Sequence, residues 1–175
     1  DEKTIEPMAF QHYFVRDRCQ PTVTGFSFEG MDSARPNDKF LAALESKNLG
    51  SILICPSNPF VSVDPVLKLP GILEAMKKSP APVIAVSPIV GGQAIKGPAA
   101  KMMAELGMPA SALAVAEHYQ GRIDGFVIDE ADADLKEEIQ GLGIPTIVTK
   151  SVMVTLEDRI SLAEAVLEFA DELAS

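Results

Sequence analysis

Residues 82–107 read PVIAVSPIVGGQAIKGPAAKMMAELG: an apolar run, then a loop with two adjacent glycines, then a segment that begins at a proline. The run Pro82–Ser87 lacks polar alternation until its end, which is typical of a strand covered on both faces of a parallel sheet. Apolar residues after Pro98 recur with helical spacing and end before Gly107: Ala99, Met102, Met103 and Leu106. The stretch therefore predicts a strand–loop–helix unit of an α/β fold.

The same alternation continues on both sides of this unit. Further strands are predicted at Ser51–Cys55, Asp124–Ile128 and Ile144–Thr149, with a fifth at Thr22–Phe28. Helices are predicted after Pro36, from an Asp64 N-cap with a break at Pro70-Gly71, over Ser111–Gln120, over Asp132–Gln140, and after a capping box of Thr155 and Asp158. The apolar face expected of the last helix is Ile160, Ala163, Val166, Leu167, Ala170 and Leu173.

Strands that alternate with helices indicate βαβ units with right-handed crossovers. We therefore expect a Rossmann-like, mostly parallel sheet with helices on both faces. Residues 1–20 are expected to form an N-terminal arm and residues 21–175 the β/α core. The 175 residues are either a single α/β domain or part of one.

The charge balance excludes some classes of partner. With 15 basic and 25 acidic residues, the formal charge is −10, which argues against nucleic acid or an anionic membrane as the main partner. The start, Asp1-Glu2-Lys3-Thr4, does not resemble a secretion signal, and we expect a cytoplasmic protein. Two cysteines cannot form a disulfide framework, and Cys55 is expected to be a small core residue in a reducing compartment.

The first candidate site is the loop that follows the strand at residues 51–55. Ser57, Asn58 and Ser62 offer short polar side chains between prolines, which suit phosphate oxygens or sugar hydroxyls. An Asx-type turn, in which Asn58 satisfies only neighbouring amides, is an equally good interpretation.

The second candidate site is the glycine-rich loop of the opening stretch. Ser87 ends its strand, and Gly91, Gly92 and Gly97 allow backbone N–H groups to turn toward an anion close to a helix start. Lys96 adds a full positive charge in a chain that has few cations. The spacing is not that of a Walker loop, and the alternative is a flexible connection with a solvated lysine.

Two further residues are weaker candidates. Asp129 directly follows a predicted strand, where a carboxylate can bind a ribose, guanine or Mg²⁺, or simply cap the next helix. His118 lies near a helix end, beside Tyr119, whose expected role is core packing. The two histidines form no recognisable triad, so catalytic residues and metal ligands are not identified.

Several long motifs resemble the 2-phospho-L-lactate transferase family of deazaflavin coenzyme biosynthesis. They occur in the family's order across almost the whole chain: FQHYFVR (10–16), FEG (28–30), CPSNPFVSVDPVL (55–67), LPGI (69–72), AVSPIVGGQAIKGPAAKMMAELG (85–107), SALAVAEHY (111–119) and DGFVIDEAD (124–132). The resemblance implies transfer of a 2-phospholactyl or phosphoenolpyruvyl group from a guanylylated diphosphate donor to the deazaflavin Fo, with GMP released and Mg²⁺ required.

Family members are commonly near twice this length and begin with a glycine-rich nucleotide-binding segment that has no counterpart here. The resemblance therefore indicates the C-terminal half of the family enzyme, without its N-terminal nucleotide-binding half. Since part of the expected sheet is then missing, the apolar strand Ser51–Cys55 would leave a strand edge and an apolar face uncovered, and we expect association through that side, either with the missing N-terminal segment or as a homo-oligomer. The alternative function is a nucleotide-sugar-binding regulatory protein of the gluconeogenesis-factor type, whose fold and loop layout are similar.

Overall fold

A parallel four-stranded sheet forms the centre of the fold. The structure, a computed structural model, describes residues 6–175. The sheet strands are β1 (Ile52–Ile54), β2 (Val83–Val86), β5 (Gly125–Ile128) and β6 (Thr146–Val148), in the order β1-β2-β5-β6. Two short antiparallel strands, β3 (Ile89–Val90) and β4 (Gln93–Ala94), form a hairpin directly after β2. The predicted parallel α/β fold is confirmed.

Within residues 6–175, seven α-helices surround the sheet: α1 (Asp38–Leu44), α2 (Asp64–Leu67), α3 (Ile72–Lys78), α4 (Ala99–Glu105), α5 (Ala112–Tyr119), α6 (Lys136–Gly141) and α7 (Leu156–Leu173). The predicted Thr155–Asp158 capping box begins α7, and Ser111 caps α5. Gly71, with φ of 86°, separates α2 from α3 as the Pro-Gly pair predicts.

The strands bury alternate residues on two unequal faces. Val83, Ala85 and Phe126 point into a large core that helices α1 to α6 cover. Ile84 and Val127 point the other way, into a small core that α7 covers. Helices thus lie on both faces, as predicted, but in the described part of the chain one face is covered by α7 alone.

Two predicted elements differ in the structure. Thr22–Phe28 is irregular rather than a strand, because the Val23 N–H bonds to the Glu105 carboxylate and not to a neighbouring strand. The segment predicted as one helix over Asp132–Gln140 is a 3₁₀-helix, Glu130–Leu135, followed by α6. The kink lies at Asp132, whose φ and ψ are not helical.

Three side-chain predictions were also wrong. Ile160, Ala163 and Leu167 of α7 are exposed, because the sheet is contacted by the neighbouring arc of the helix: Leu162, Val166, Phe169 and Ala170. Cys55 is exposed rather than in the core, since it follows an edge strand. Asp64 does not cap its helix but contacts other side chains, described below.

The predicted N-terminal arm is partly integrated into the fold. Its first five residues, including the stretch used to argue against a secretion signal, lie outside the described residues. Tyr13, in a short π-helical turn at His12–Arg16, packs into the large core. Within residues 6–175, no helix has the length and apolar character needed to cross a membrane.

Candidate functional site

The loops with candidate residues lie at one edge of the sheet. β1, β2 and β5 are parallel neighbours, so the loops that follow them all leave from the carboxyl edge, the side of the sheet where the carboxyl ends of the strands lie. Open α/β sheets bind their ligands at this edge. The loop after β1 carries Ser57, the loop after β2 carries the adjacent glycines, and the loop after β5 begins with Asp129.

Asn58 organises the loop after β1. Its side-chain oxygen accepts hydrogen bonds from the N–H groups of Phe60 and Val61, at 3.0 and 3.3 Å, which forms the turn predicted as the alternative to ligand binding. The amide nitrogen lies 3.3 Å from the Met102 sulfur of α4. The hydroxyl-bearing residues Ser57 and Ser62 on either side are exposed.

The glycine-rich loop is a tight hairpin turn. Gly91 and Gly92 have φ values of 55° and 76°, the left-handed conformation that both central residues of a type I′ turn require. At Gly92 a Cβ would also lie 3.6 Å from the Ala110 carbonyl oxygen. The Ser87 hydroxyl is buried and donates to the Ile89 carbonyl at 2.8 Å, so it braces the first residue of the hairpin.

Two carboxylates after β5 hold the neighbouring loops. Both oxygens of Asp132 lie 3.1 Å from the Gly91 nitrogen and accept its N–H. Asp129 accepts from the N–H of Ala131 and from both the N–H and the hydroxyl of Ser151. Asp129 therefore caps the following helix, which was the alternative to ligand binding, and also fixes the loop after β6.

Burial acts on these two carboxylates with different results. At Asp132, burial raises the pKa of the carboxyl, and the hydrogen bond from Gly91 only partly opposes it. At Asp129, burial also acts to raise the pKa, but the hydrogen bonds from Ser151 and Ala131 outweigh it and lower the pKa overall. The Asp129 carboxylate is thus held in its charged form by its own fold contacts.

Lys96 and Gly97 lie beyond the hairpin, before α4. Lys96 is exposed and forms no ion pair with any residue in the described part of the chain. Gly97 has φ of 74°, which turns the backbone into Pro98 and the helix. The lysine ammonium is therefore available to an anionic ligand.

His118 packs against the segment that follows the Asn58 turn, with its ring centroid 5.2 Å from that of Phe60. It lies in the last turn of α5, which ends shortly before β5 begins, and its Nε2 is 3.0 Å from a buried oxygen of Asp64. Lys68 and Arg122 also contact Asp64, at 3.4 and 3.5 Å. Burial acts to raise the pKa of Asp64, but the hydrogen bond and charge of His118, together with Lys68, lower it overall. Tyr119 is buried in the large core, as predicted.

Comparison with known proteins decides the family of this chain. Residues 3–144 match the family described as 2-phospho-L-lactate transferase CofD. The chain belongs to the 2-phospho-L-lactate transferase family. It is 38% identical over 161 residues to the 2-phospho-L-lactate transferase of Methanosarcina mazei, covering 92% of this chain and 52% of that protein. It is 35% identical over 165 residues to the phosphoenolpyruvate transferase of Streptomyces griseus, covering 94% of this chain and 51% of that protein.

The transferase relatives are longer than this chain. The 2-phospho-L-lactate transferase of Methanocaldococcus jannaschii is 33% identical over 169 residues, which are 97% of this chain but 52% of that protein. The chain thus spans about half the length of the curated relatives it matches.

The described residues do not by themselves fit a magnesium ion. Residues 6–175 contain no group of three or more His, Cys, Asp or Glu side chains arranged to hold a metal. The carboxylates after β5, Asp129 and Asp132, accept hydrogen bonds from their own fold at both oxygens. We therefore assign no metal ligand among these residues.

The sequence did not predict the contacts of two buried carboxylates, Asp132 and Asp64. The local pattern predicts a helix start at Asp132 and a helix cap at Asp64. Their partners, Gly91 and His118, lie 41 and 54 residues away in the chain. No local spacing signals such contacts, because only the folded sheet brings the segments together.

Proposed function

We propose that this chain forms part of a transferase that moves a 2-phospholactyl or phosphoenolpyruvyl group from a guanylylated diphosphate donor to a hydroxyl of the deazaflavin Fo. In that reaction the hydroxyl oxygen bonds to the phosphorus that carries the three-carbon group. The bond from that phosphorus to the bridging oxygen breaks, GMP leaves, and the hydroxyl proton passes to a base. Catalysis of this kind depends mainly on positioning the phosphates and neutralising their charge.

The observation that carries the proposal is the glycine turn with Lys96 at the carboxyl edge of the sheet. Hydrogen bonds of Asp132 and Ser87 hold the hairpin of the Gly91-Gly92 turn, and Lys96 is exposed a few residues later. Because the Gly91 N–H already bonds to Asp132, it is not a phosphate ligand. We assign the donor phosphates to Lys96 and to exposed N–H groups of Gly92 and Gly97.

The exposed serines beside the Asn58 turn extend this surface. Ser57 and Ser62 follow β1, the strand next to β2, so their loop and the glycine hairpin leave the same edge of the sheet. Hydroxyls at this position suit further phosphate oxygens or the donor's sugar hydroxyls. We assign no residue of this chain as the catalytic base or as a ligand of the Mg²⁺ that the resemblance implies. Nor do we assign the residues that select between the lactyl and enolpyruvyl donors.

The experiment is a chimera in which this chain replaces the 161 matched residues of the Methanosarcina mazei relative, with the intact relative as positive control. With Mg²⁺, Fo and the guanylylated lactyl or enolpyruvyl donor, we expect release of GMP and a matching mass increase on Fo. A folded chimera that yields neither product would refute the transferase function. Tight GDP binding without GMP release would favour the nucleotide-binding regulatory class instead.

A further inference from the structure

A side-chain amide joins the loop after β1 to helix α4. The Asn58 side-chain nitrogen donates a hydrogen bond to the Met102 sulfur at 3.3 Å. The oxygen of the same amide is already used, since it accepts from the N–H groups of Phe60 and Val61. Those two hydrogen bonds fix which end of the amide is the oxygen, so the end that faces the sulfur is the donor.

The hydrogen bond distinguishes Met102 from the methionine beside it. Met102 and Met103 are 1 and 0% exposed, and both belong to the large core. Within residues 6–175, the Met102 sulfur accepts a hydrogen bond and the Met103 sulfur does not. A thioether is a weak acceptor, and a buried methionine ordinarily fills space only. Met102 therefore has a contact that its burial does not explain.

Met102 also lies one helical turn from the segment that carries Lys96. Its N–H donates to the Pro98 carbonyl oxygen at 2.9 Å, and Pro98 lies two residues after Lys96. Helix α4 is itself anchored at its other end, where the Glu105 carboxylate accepts from the Val23 N–H at 2.9 Å. The loop after β1 is thus attached to an anchored helix that begins just after Lys96.

We propose that Met102 is a positioning residue, whose sulfur holds the Asn58 turn against α4 and so keeps the hydroxyls after β1 at a fixed spacing from the Lys96 ammonium. The inference rests on the proposed function, which assigns contacts with the donor to both segments. Met102 is buried, so it acts through Asn58 and not by contact with the donor. A residue that only filled space would affect stability without affecting the spacing of the two segments.

The test compares Met102→Leu with Met103→Leu. Leucine conserves the volume of methionine but has no sulfur, so both variants should fold with similar stability, and only the first loses an acceptor. We expect Met102→Leu to weaken GDP binding by the chimera at least about threefold in calorimetry, as is typical for the loss of one hydrogen bond. Met103→Leu should leave the GDP affinity unchanged. Circular dichroism and urea unfolding of both variants establish that they are folded and about equally stable.

A second measurement needs no ligand. In this chain without GDP, Met102→Leu should speed hydrogen exchange at the Phe60 and Val61 amides at least about threefold, because the side chain that accepts from both is no longer held. Met103→Leu should leave that exchange unchanged. Asn58→Asp keeps an oxygen for the two N–H groups but cannot donate to sulfur. In the Asn58→Asp background, Met102→Leu should therefore cause no further increase in exchange.

The two measurements separate this inference from the proposed function. Equal behaviour of the two leucine variants, in GDP affinity and in exchange, would show that Met102 only fills the core and would overturn the proposal. Faster exchange with unchanged GDP affinity would also overturn it, since binding would not depend on the contact. If the unmodified chimera binds no GDP, the proposed function fails, and the exchange result still decides whether Met102 holds the Asn58 turn.

Discussion

Replacing Gly125 with alanine tests how α7 is seated on the sheet. A Cβ at this first residue of β5 would lie 2.7 Å from both Leu173 Cδ1 and Phe169 Cε1. Carbon atoms in contact are ordinarily about 3.5–4.0 Å apart, so the new methyl group is about 1 Å too close to two side chains. Leu173 is at the end of the helix and can rotate away, but the Phe169 ring is buried and must push α7 from the sheet.

Overpacking of this kind destabilises a protein by about 1–3 kcal/mol. Replacing glycine with alanine also restricts the unfolded chain, which stabilises the folded state by about 0.5–1 kcal/mol. Because the new Cβ meets two side chains at once, the upper part of the overpacking range applies, and we expect Gly125→Ala to lower the free energy of unfolding by about 1–2.5 kcal/mol in urea titrations. Gly141→Ala is the matched control, since a Cβ there meets nothing within 4 Å and φ is not positive. The same chemical change at residue 141 should stabilise the protein by about 0.5–1 kcal/mol.

A second variant shows whether the Phe169 ring is the cause. In a Phe169→Leu background the ring edge is absent, so Gly125→Ala should cost at least 1 kcal/mol less than in the wild type, as contacting residues typically couple. If Gly125→Ala is as stable as the wild type, or costs the same in both backgrounds, α7 does not pack on β5 as described.

Three further predictions concern the polar contacts. Asp132→Ala should weaken GDP binding by the chimera at least fivefold in calorimetry, because the Gly91 N–H loses the carboxylate that accepts its hydrogen bond. Unchanged GDP affinity would show that binding does not depend on this hydrogen bond. Lys96→Ala should weaken GDP binding about tenfold, because a charge-assisted hydrogen bond to the ligand is lost, and should leave the free energy of unfolding unchanged. Unchanged GDP affinity would show that Lys96 is a solvated surface residue and not a phosphate ligand. The pKa of Asp64 is lowered in the folded chain, so its contribution to stability is present above pH 4 and is lost as pH falls through the folded pKa. Asp64→Asn should therefore cost about 1–3 kcal/mol at pH 7 and progressively less at pH 3, and a pH-independent cost would contradict the ion pairs.

The strands and most helix ends were predictable because their signals are local. Continuous apolar runs predicted β1, β2, β5 and β6, and the capping box at Thr155 predicted the start of α7. Thr22–Phe28 shows the limit of such signals. Its composition suits a strand, but a strand needs a partner, and the Val23 N–H finds the Glu105 carboxylate instead.

The candidate site was predictable in position but not in the use of each atom. Loops after parallel strands must share one edge, and this places Ser57, Gly91 and Asp129 together from sequence order alone. Which groups remain available to a ligand depends on neighbours distant in the chain. The Gly91 N–H donates to the Asp132 carboxylate, and the Ser151 N–H donates to that of Asp129. Neither hydrogen bond is indicated by the residues next to it in the sequence.

The sequence by itself determined the fold class and the family, because periodicity, turn residues and long motifs are properties of neighbouring residues. Only the tertiary structure decided which apolar residues of α7 are covered. Leu162 and Leu167 are equally apolar, yet the first is 5% exposed and the second 50%. Helical periodicity allows both leucines on one broad apolar face of α7. Their exposure differs because the sheet covers only part of that face. Burial is a property of the surfaces that meet in the folded protein, and a sequence pattern records only which surfaces are able to be buried.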